Sequence, residues 1–85
     1  MEDNEARDRI IQKFYEAYRE HGLHVIVNFG EVSASLELDA PQARRCFDYL
    51  RAKGLIRVVT LGGGYGPTVD LVDRAEAAAE AAVNG

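Results

Sequence analysis

The sequence predicts an α+β fold: a mostly helical domain with one short strand, a C-terminal β-hairpin and a final helix. Three observations lead to this class. Apolar residues recur at helical spacing early in the chain, two β-branched runs flank a glycine-rich segment, and an alanine-rich segment closes the sequence. At 85 residues, the chain has the length of one domain, which we expect to span residues 1–85.

The first helix is expected over residues 4–21. Ile10, Phe14 and Tyr18 recur every four residues and form an apolar stripe. Gly22 follows, and glycine is the residue that most often ends a helix in a left-handed conformation.

Two short elements come next. Residues 23–27 are a β-branched run that is too short for a helix and suits a short strand. Phe29, Val32 and Leu36 then recur at helical spacing, which predicts a second helix over residues 29–36.

The third helix has the strongest boundary signal, and we place it over about residues 40–53. Asp39 is able to cap it, Pro41 suits its first turn, and Gln42 stands where a side chain returns the capping bond. Gly54 marks its end. The residues expected on its buried face are Ala43, Cys46, Phe47 and Leu50.

A hairpin and a fourth helix complete the chain. The hairpin strands are predicted over residues 56–61 and 68–72, with residues 62–67 as a flexible glycine-rich tip. Asp73 and Glu76 repeat the capping spacing, so the fourth helix is expected from Asp73 onward.

Charge is distributed unevenly along the chain, whose formal net charge is -4. Residues 1–39 carry four basic and nine acidic side chains, a net of -5, and residues 68–85 carry one and four, a net of -3. Residues 40–67 carry five basic side chains against Asp48 alone, a net of +4. Because cationic side chains supply most of the affinity for phosphates, the acidic total does not exclude a nucleic-acid partner.

Cysteine content and hydropathy indicate the cellular compartment of the protein. The single cysteine, Cys46, has no partner for a disulfide within the chain, and the first residues lack the pattern of a secretory signal. No uncharged apolar stretch approaches the ~20 residues of a membrane-spanning helix. We therefore expect a cytoplasmic protein without a membrane partner.

Residues 31–56 resemble the winged helix-turn-helix family of DNA-binding domains. The core positions of the second helix and turn in that family are occupied here by Val32, Leu36 and Leu38. The order of elements extends the resemblance along the whole chain. One residue departs from it, because many members have glycine where this chain has Glu37. A left-handed Glu costs on the order of 1 kcal/mol relative to glycine, so a longer or different turn is expected.

The resemblance implies that this chain is a small transcription regulator. It implies binding to double-stranded DNA through the third helix and through the wing, which covers about residues 56–72. The contacts expected from the third helix are Pro41, Gln42, Arg44, Arg45, Tyr49 and Lys53, and those from the wing are Arg57 and Tyr65. Arginine can bond two acceptors on guanine and glutamine two groups on adenine, so Arg44, Arg45 and Gln42 are the leading candidates for base contacts.

Other kinds of site find little support. The glycine run is followed by a predicted strand and by no lysine, unlike a phosphate-binding loop. His21 and His24 have a spacing that suits a metal, but no second pair of ligands completes a set. Cys46 lies on the predicted buried face, and no nucleophile with a base is evident. We therefore expect no enzyme activity, metal or cofactor.

Two further expectations concern partners. The alanine-rich last helix would fray alone, and we expect a homodimer formed through the first helix and the C-terminal helix. The alternative to DNA binding is a winged-helix module for protein–protein interaction or dimerisation, which the overall acidity of the chain favours.

Overall fold

A computed structural model describes residues 1–84 of the chain. These residues form four helices and three strands, in the order α1 (Asp3–His21), β1 (Val27–Asn28), α2 (Phe29–Ser35), α3 (Ala40–Ala52), β2 (Ile56–Thr60), β3 (Gly64–Pro67) and α4 (Val69–Asn84). The strands make one antiparallel sheet in the order β1-β3-β2. The expected α+β class is thus confirmed for the described residues.

α1 is the amphipathic helix that the apolar stripe predicts. Ile10 and Phe14 are completely buried. The helix ends where Gly22 takes a φ of 90°, and the Gly22 N–H donates to the Tyr18 carbonyl at 2.7 Å. Both the extent of the helix and its glycine stop agree with the sequence.

The strand predicted over residues 23–27 is wrong in extent. Only its last residue, Val27, is in β1, which continues to Asn28. The strand is this short because β3 offers it just two partners, with Val27 opposite Tyr65 and Asn28 opposite Gly64.

α2 begins at a side-chain cap and ends in a turn with a strained residue. Asn28 Oδ1 accepts a hydrogen bond from the Glu31 N–H at 3.1 Å. After Ser35, Glu37 has a φ of 56°, a conformation that costs a non-glycine residue roughly 1–2 kcal/mol. It turns the chain so that Leu38 enters the core. The turn is therefore kept short, and Glu is accommodated in it.

α3 starts as predicted. Asp39 Oδ1 accepts from the Gln42 N–H at 2.8 Å, and Pro41 lies in the first turn. The helix ends at Ala52, shortly before Gly54 with a φ of 74°. Its buried face comprises the expected residues Ala43, Cys46, Phe47 and Leu50.

The hairpin is shorter than predicted, and its glycine-rich segment is largely strand. β3 covers residues 64–67, so only residues 61–63 connect it to β2. The strand predicted over residues 68–72 is wrong, because α4 already begins at Val69. Thr68 Oγ1 accepts from the Leu71 N–H at 3.3 Å and donates to the Gly54 carbonyl at 2.6 Å. Thr68 thus starts α4, and the cap predicted at Asp73 lies inside the helix.

Two glycines of β3 let neighbouring side chains cross the outer face of the sheet. A Cβ at Gly64 would lie 2.5 Å from Thr60 Oγ1 and 2.9 Å from Ile26 Cγ2. A Cβ at Gly66 would lie 3.3 Å from a guanidinium nitrogen of Arg57. These glycines serve close packing rather than the flexible tip that the sequence predicted.

Aromatic rings join the helices to the inner face of the sheet. The Phe47 ring meets those of Phe14, Phe29 and Tyr65 edge to face, at centroid distances of 5.9, 4.8 and 4.9 Å. Each such pair adds about 0.5–1.5 kcal/mol beyond the burial of its area. Phe47 therefore fixes α3 against α1, α2 and β3.

α4 packs along α1, but only its first half is covered. Leu71, Val72 and Ala75 are buried, whereas residues 76–83 are exposed. Within residues 1–84, no helix has the length and apolar character needed to cross a membrane.

Candidate nucleic-acid interface

The side of α3 that faces α2 carries Arg44 next to the hairpin tip. The Arg44 guanidinium lies 4.7 Å from the centroid of the Phe29 ring. Phe29 is the first residue of α2, and its N–H donates to the Gly63 carbonyl at 2.8 Å. Leu61, at the same tip, is fully exposed. Arg44, Phe29 and the tip thus form one continuous surface.

Arg45 is engaged by the first turn of α1. Its Nε and Nη2 donate to Asp3 Oδ2 and Oδ1 at 3.1 and 3.2 Å, in a two-point ion pair. The hydrogen bonds from Arg45 lower the pKa of the Asp3 carboxyl, and the same contact raises the pKa of Arg45. Both side chains stay accessible to water, so this pair is open to exchange with another anion.

Gln42 is also turned towards α1. Its Nε2 donates to Asp3 Oδ1 at 3.2 Å and to the Met1 carbonyl. The return bond predicted between Gln42 and the cap at Asp39 is therefore replaced by contacts to the N-terminus, and the amide is half-buried rather than presented outward.

Tyr49 and Lys53 lie on the same side of α3 as Gln42. The Arg7 guanidinium lies 3.9 Å from the centroid of the Tyr49 ring, and Lys53 Nζ lies 5.5 Å from it. Cations over an aromatic face are held by the quadrupole of the ring. Tyr49 is thus packed between side chains of α1 and α3.

The hairpin does not present the two residues that the sequence assigned to the wing surface. Tyr65 lies in the middle of β3, is 7% exposed and packs on Phe47, so it is not presented on the surface of the hairpin. Arg57 pairs with Gly66, one position away from the pair between Val58 and Tyr65. Because successive residues of a strand alternate between faces, Arg57 is exposed on the face that points away from α3.

The structure adds residues that the sequence analysis did not assign to this surface. Arg51 is exposed on α3, two turns after Arg44. Phe29 was identified only by its helical spacing in α2, and its ring supports Arg44. Pro41, the remaining candidate, is exposed at the start of α3.

Within the described residues, the one cysteine is buried and the possible metal ligands are not grouped. Cys46 is 1% exposed, and burial raises the pKa of its thiol, which disfavours the reactive thiolate. In the part of the chain that the structure describes, no group of three or more His, Cys, Asp or Glu side chains is placed to hold a metal ion.

Comparison with known proteins gives no family. The chain matches no protein-family model, and no curated protein or solved structure is significantly similar to it. The interpretation of this surface therefore depends on its own geometry and charge.

Proposed function

We propose that this chain is a winged helix-turn-helix domain that binds double-stranded DNA as a small transcription regulator. In this proposal α2 and α3 form the helix-turn-helix, and the hairpin of β2 and β3 is the wing. The order of elements and the antiparallel order β1-β3-β2 support this reading. The left-handed Glu37 supports it as well, since it makes the short turn between the two helices.

The observation that carries the DNA proposal is the surface formed by Arg44, Phe29 and the hairpin tip. An exposed helix next to a protruding hairpin matches a major groove beside a minor groove. Residues 40–53 add the charge, with four basic side chains against Asp48, a net of +3. Phosphates attract such a helix even though the whole chain is acidic.

The geometry sorts the cations of α3 by role. Arg44 and Arg51 contact phosphates or guanine from the side next to the hairpin. Arg45 joins them when a phosphate replaces Asp3. Tyr49 and Lys53 lie on the side of α3 next to α1, where they flank the major groove of the DNA. Neither Tyr65 nor Arg57 contributes to this surface.

A fluorescence-anisotropy titration of labelled duplex DNA at low salt tests the proposal. The double variant Arg44→Glu/Arg51→Glu is expected to weaken binding by at least about 100-fold, because two attractive phosphate contacts become repulsive. A milder variant, Arg44→Gln/Arg51→Gln, is expected to reduce the slope of log K against log salt by about 1.8.

The matched control reverses an equal charge elsewhere. Arg9 is exposed on α1 and pairs with Glu5, and Arg9→Glu/Lys13→Glu makes the same change in net charge away from α3. It is expected to retain most of the affinity. Equal losses in both double variants, or no duplex binding by the natural chain, would remove the DNA proposal in favour of a protein-interaction module.

We also propose that the protein is a homodimer formed through α1 and α4. The support is the second half of α4, where residues 76–83 are exposed and six of the eight are Ala or Val. An alanine-rich half-helix with few tertiary contacts is unstable alone. A second copy covering the outer sides of α1 and α4 would stabilise it and would match a two-fold operator.

A further inference from the structure

Two adjoining cavities form a continuous cleft along α1. One has a volume of about 440 Å³ between α1 and α4, and the other has a volume of about 340 Å³ where α1, α3 and α4 meet. Both are lined by Asp8, Ile11 and Arg74. We refer to the combined space as the α1/α4 cleft.

One end of the α1/α4 cleft is polar and cationic. It is lined by Arg7, Arg74, Asn4 and Tyr49 as well as by Asp8. The Arg7 guanidinium donates to Asn4 Oδ1 and lies over the Tyr49 ring, so its position is fixed from two sides. Within residues 1–84, neither Arg7 nor Arg74 forms an ion pair with a carboxylate.

The other end is mainly apolar, although Gln12 also lines it. Ile11 and Tyr15 line it from α1, and the small residues Ala75, Ala79 and Ala82 line it from α4. Because the side chains that α4 contributes here are small alanines, the two helices leave room between them. Arg7 and Tyr15 are eight residues apart, which is about 12 Å along an α-helix.

We propose that the α1/α4 cleft binds a small amphipathic monocarboxylate, with its carboxylate between Arg7 and Arg74 and its apolar body between α1 and α4. The charge balance selects a single negative charge. Two guanidinium groups and one carboxylate, that of Asp8, line this end, which leaves one positive charge to be matched. Guanidinium groups bind carboxylates in a two-point geometry, whereas the alanine-lined end adds no further charge, with Gln12 and Tyr15 as its uncharged polar residues.

Occupation of this cleft would reach the surface of α3. The Arg7 guanidinium that would bind the carboxylate also packs on Tyr49, one turn from Arg45 on the same helix. The ligand proposal itself does not depend on DNA binding, since it concerns a different surface and is tested without DNA. A homodimer would cover the outer sides of α1 and α4, whereas the ligand lies between these helices in one chain.

Titration of the isotope-labelled full chain with octanoate, followed by amide chemical shifts, tests the proposal. Octanoate has about the length of the cleft. We expect saturable shifts confined to residues of α1, α4 and the neighbouring part of α3. Two probes separate the contributions: octan-1-ol keeps the apolar body without the charge, and acetate keeps the charge without the body. Each is expected to bind at least about tenfold more weakly than octanoate.

Two variants act on the two ends of the cleft. Arg74→Gln is expected to raise the Kd for octanoate about tenfold and to leave the Kd for octan-1-ol unchanged. Ala79→Leu fills the apolar end and is expected to weaken octanoate and octan-1-ol alike. Arg9→Gln is the control, because Arg9 lies on α1 outside the cleft and pairs with Glu5 at 3.2 Å. Thermal unfolding of each variant verifies that it is folded.

Each of the following outcomes would overturn the proposal. The first is equal affinity for octanoate and octan-1-ol, which would show that the carboxylate is not recognised. The second is an unchanged Kd in folded Arg74→Gln. The third is a set of shifts centred on another surface, such as the exposed apolar residues of the hairpin, or no saturable shifts at all.

Discussion

In the proposed DNA complex, Asp3 competes with the phosphates for Arg45. The carboxylate holds the Arg45 guanidinium at 3.1 and 3.2 Å and also accepts from Gln42, so two of the three leading candidates for base contacts are bound to one acidic side chain. An exposed ion pair of this kind contributes little to stability. Its larger consequence under the proposed function is that DNA would have to replace Asp3 in order to contact Arg45.

Removing the charge of Asp3 is expected to tighten DNA binding. In Asp3→Asn, the side-chain oxygen remains an acceptor for Gln42, while Arg45 loses its anionic partner. We expect the Kd for duplex DNA at low salt to fall about three- to tenfold. Glu5→Gln is the matched control, because it removes an equal charge from the same turn of α1 but changes the partner of Arg9. An equal gain in the control would show that net charge, rather than release of Arg45, is responsible.

The same pair gives a pH dependence with a defined sign. The Arg45 hydrogen bonds lower the pKa of Asp3 below its ordinary value of 3.8. The stability that the pair contributes is therefore present above pH 3.8 and is lost as the pH falls through the lowered pKa. Any difference in Tm between the natural chain and Asp3→Asn should accordingly vanish in that acidic range.

At the scale of elements, the two glycines next to the hairpin tip have different roles. A Cβ at Gly64 would meet Thr60 and Ile26 at under 3 Å, whereas a Cβ at Gly62 would meet nothing within 4 Å. We expect Gly64→Ala to lower the free energy of unfolding by about 1–3 kcal/mol through overpacking. Gly62→Ala is expected to change it by less than about 0.5 kcal/mol. Urea unfolding of both variants measures this, and equal effects would contradict a packing role for Gly64.

The sequence predicted the helices well because their signals are local. The cap at Asp39 and the stops at Gly22 and Gly54 depend on residues within one turn. β2 was also predicted well, but β1 and β3 were predicted poorly because pairing is non-local. β3 is a strand because it lies between β1 and β2, although two of its four residues are glycine. Thr68 starts a helix because its hydroxyl is held by a hydrogen bond that it donates to the carbonyl of Gly54, fourteen residues earlier.

The candidate site also divides into features with local sequence signals, which were predicted, and non-local contacts, which were not. Periodicity correctly placed Arg44 and Arg45 on the exposed side of α3, whereas Gln42, placed there as well, is half-buried. It gave no sign that Asp3 and Arg7, about forty residues away in the sequence, would bind Arg45 and Tyr49. Tyr65 was expected at the surface because the glycines around it suggested a hairpin tip, whereas its ring completes the aromatic contacts of Phe47.

Across the whole chain, the acidic side chains act against the proposed DNA binding except at one surface. The net charge of -4 repels the phosphates at long range, while the +3 of residues 40–53 attracts them at contact. Screening by salt reduces the long-range repulsion at distances beyond about 8–10 Å. It also weakens the attraction at contact. This charge separation favours one orientation of the domain on the duplex.

The homodimer gives the last prediction. If two copies unfold together with dissociation, a tenfold increase in protein concentration stabilises the folded state by about 1.4 kcal/mol and raises Tm by about 3–6 °C. Ala81→Glu places a charge on the exposed half of α4 and is expected to abolish this concentration dependence and to halve the mass in light scattering. Ala34→Glu, the same substitution at an exposed position of α2, is the control. It should retain both the concentration dependence of Tm and the dimeric mass. A Tm for the natural chain that is independent of concentration, together with a monomeric mass, would refute the dimer and leave the exposed half of α4 to a different partner.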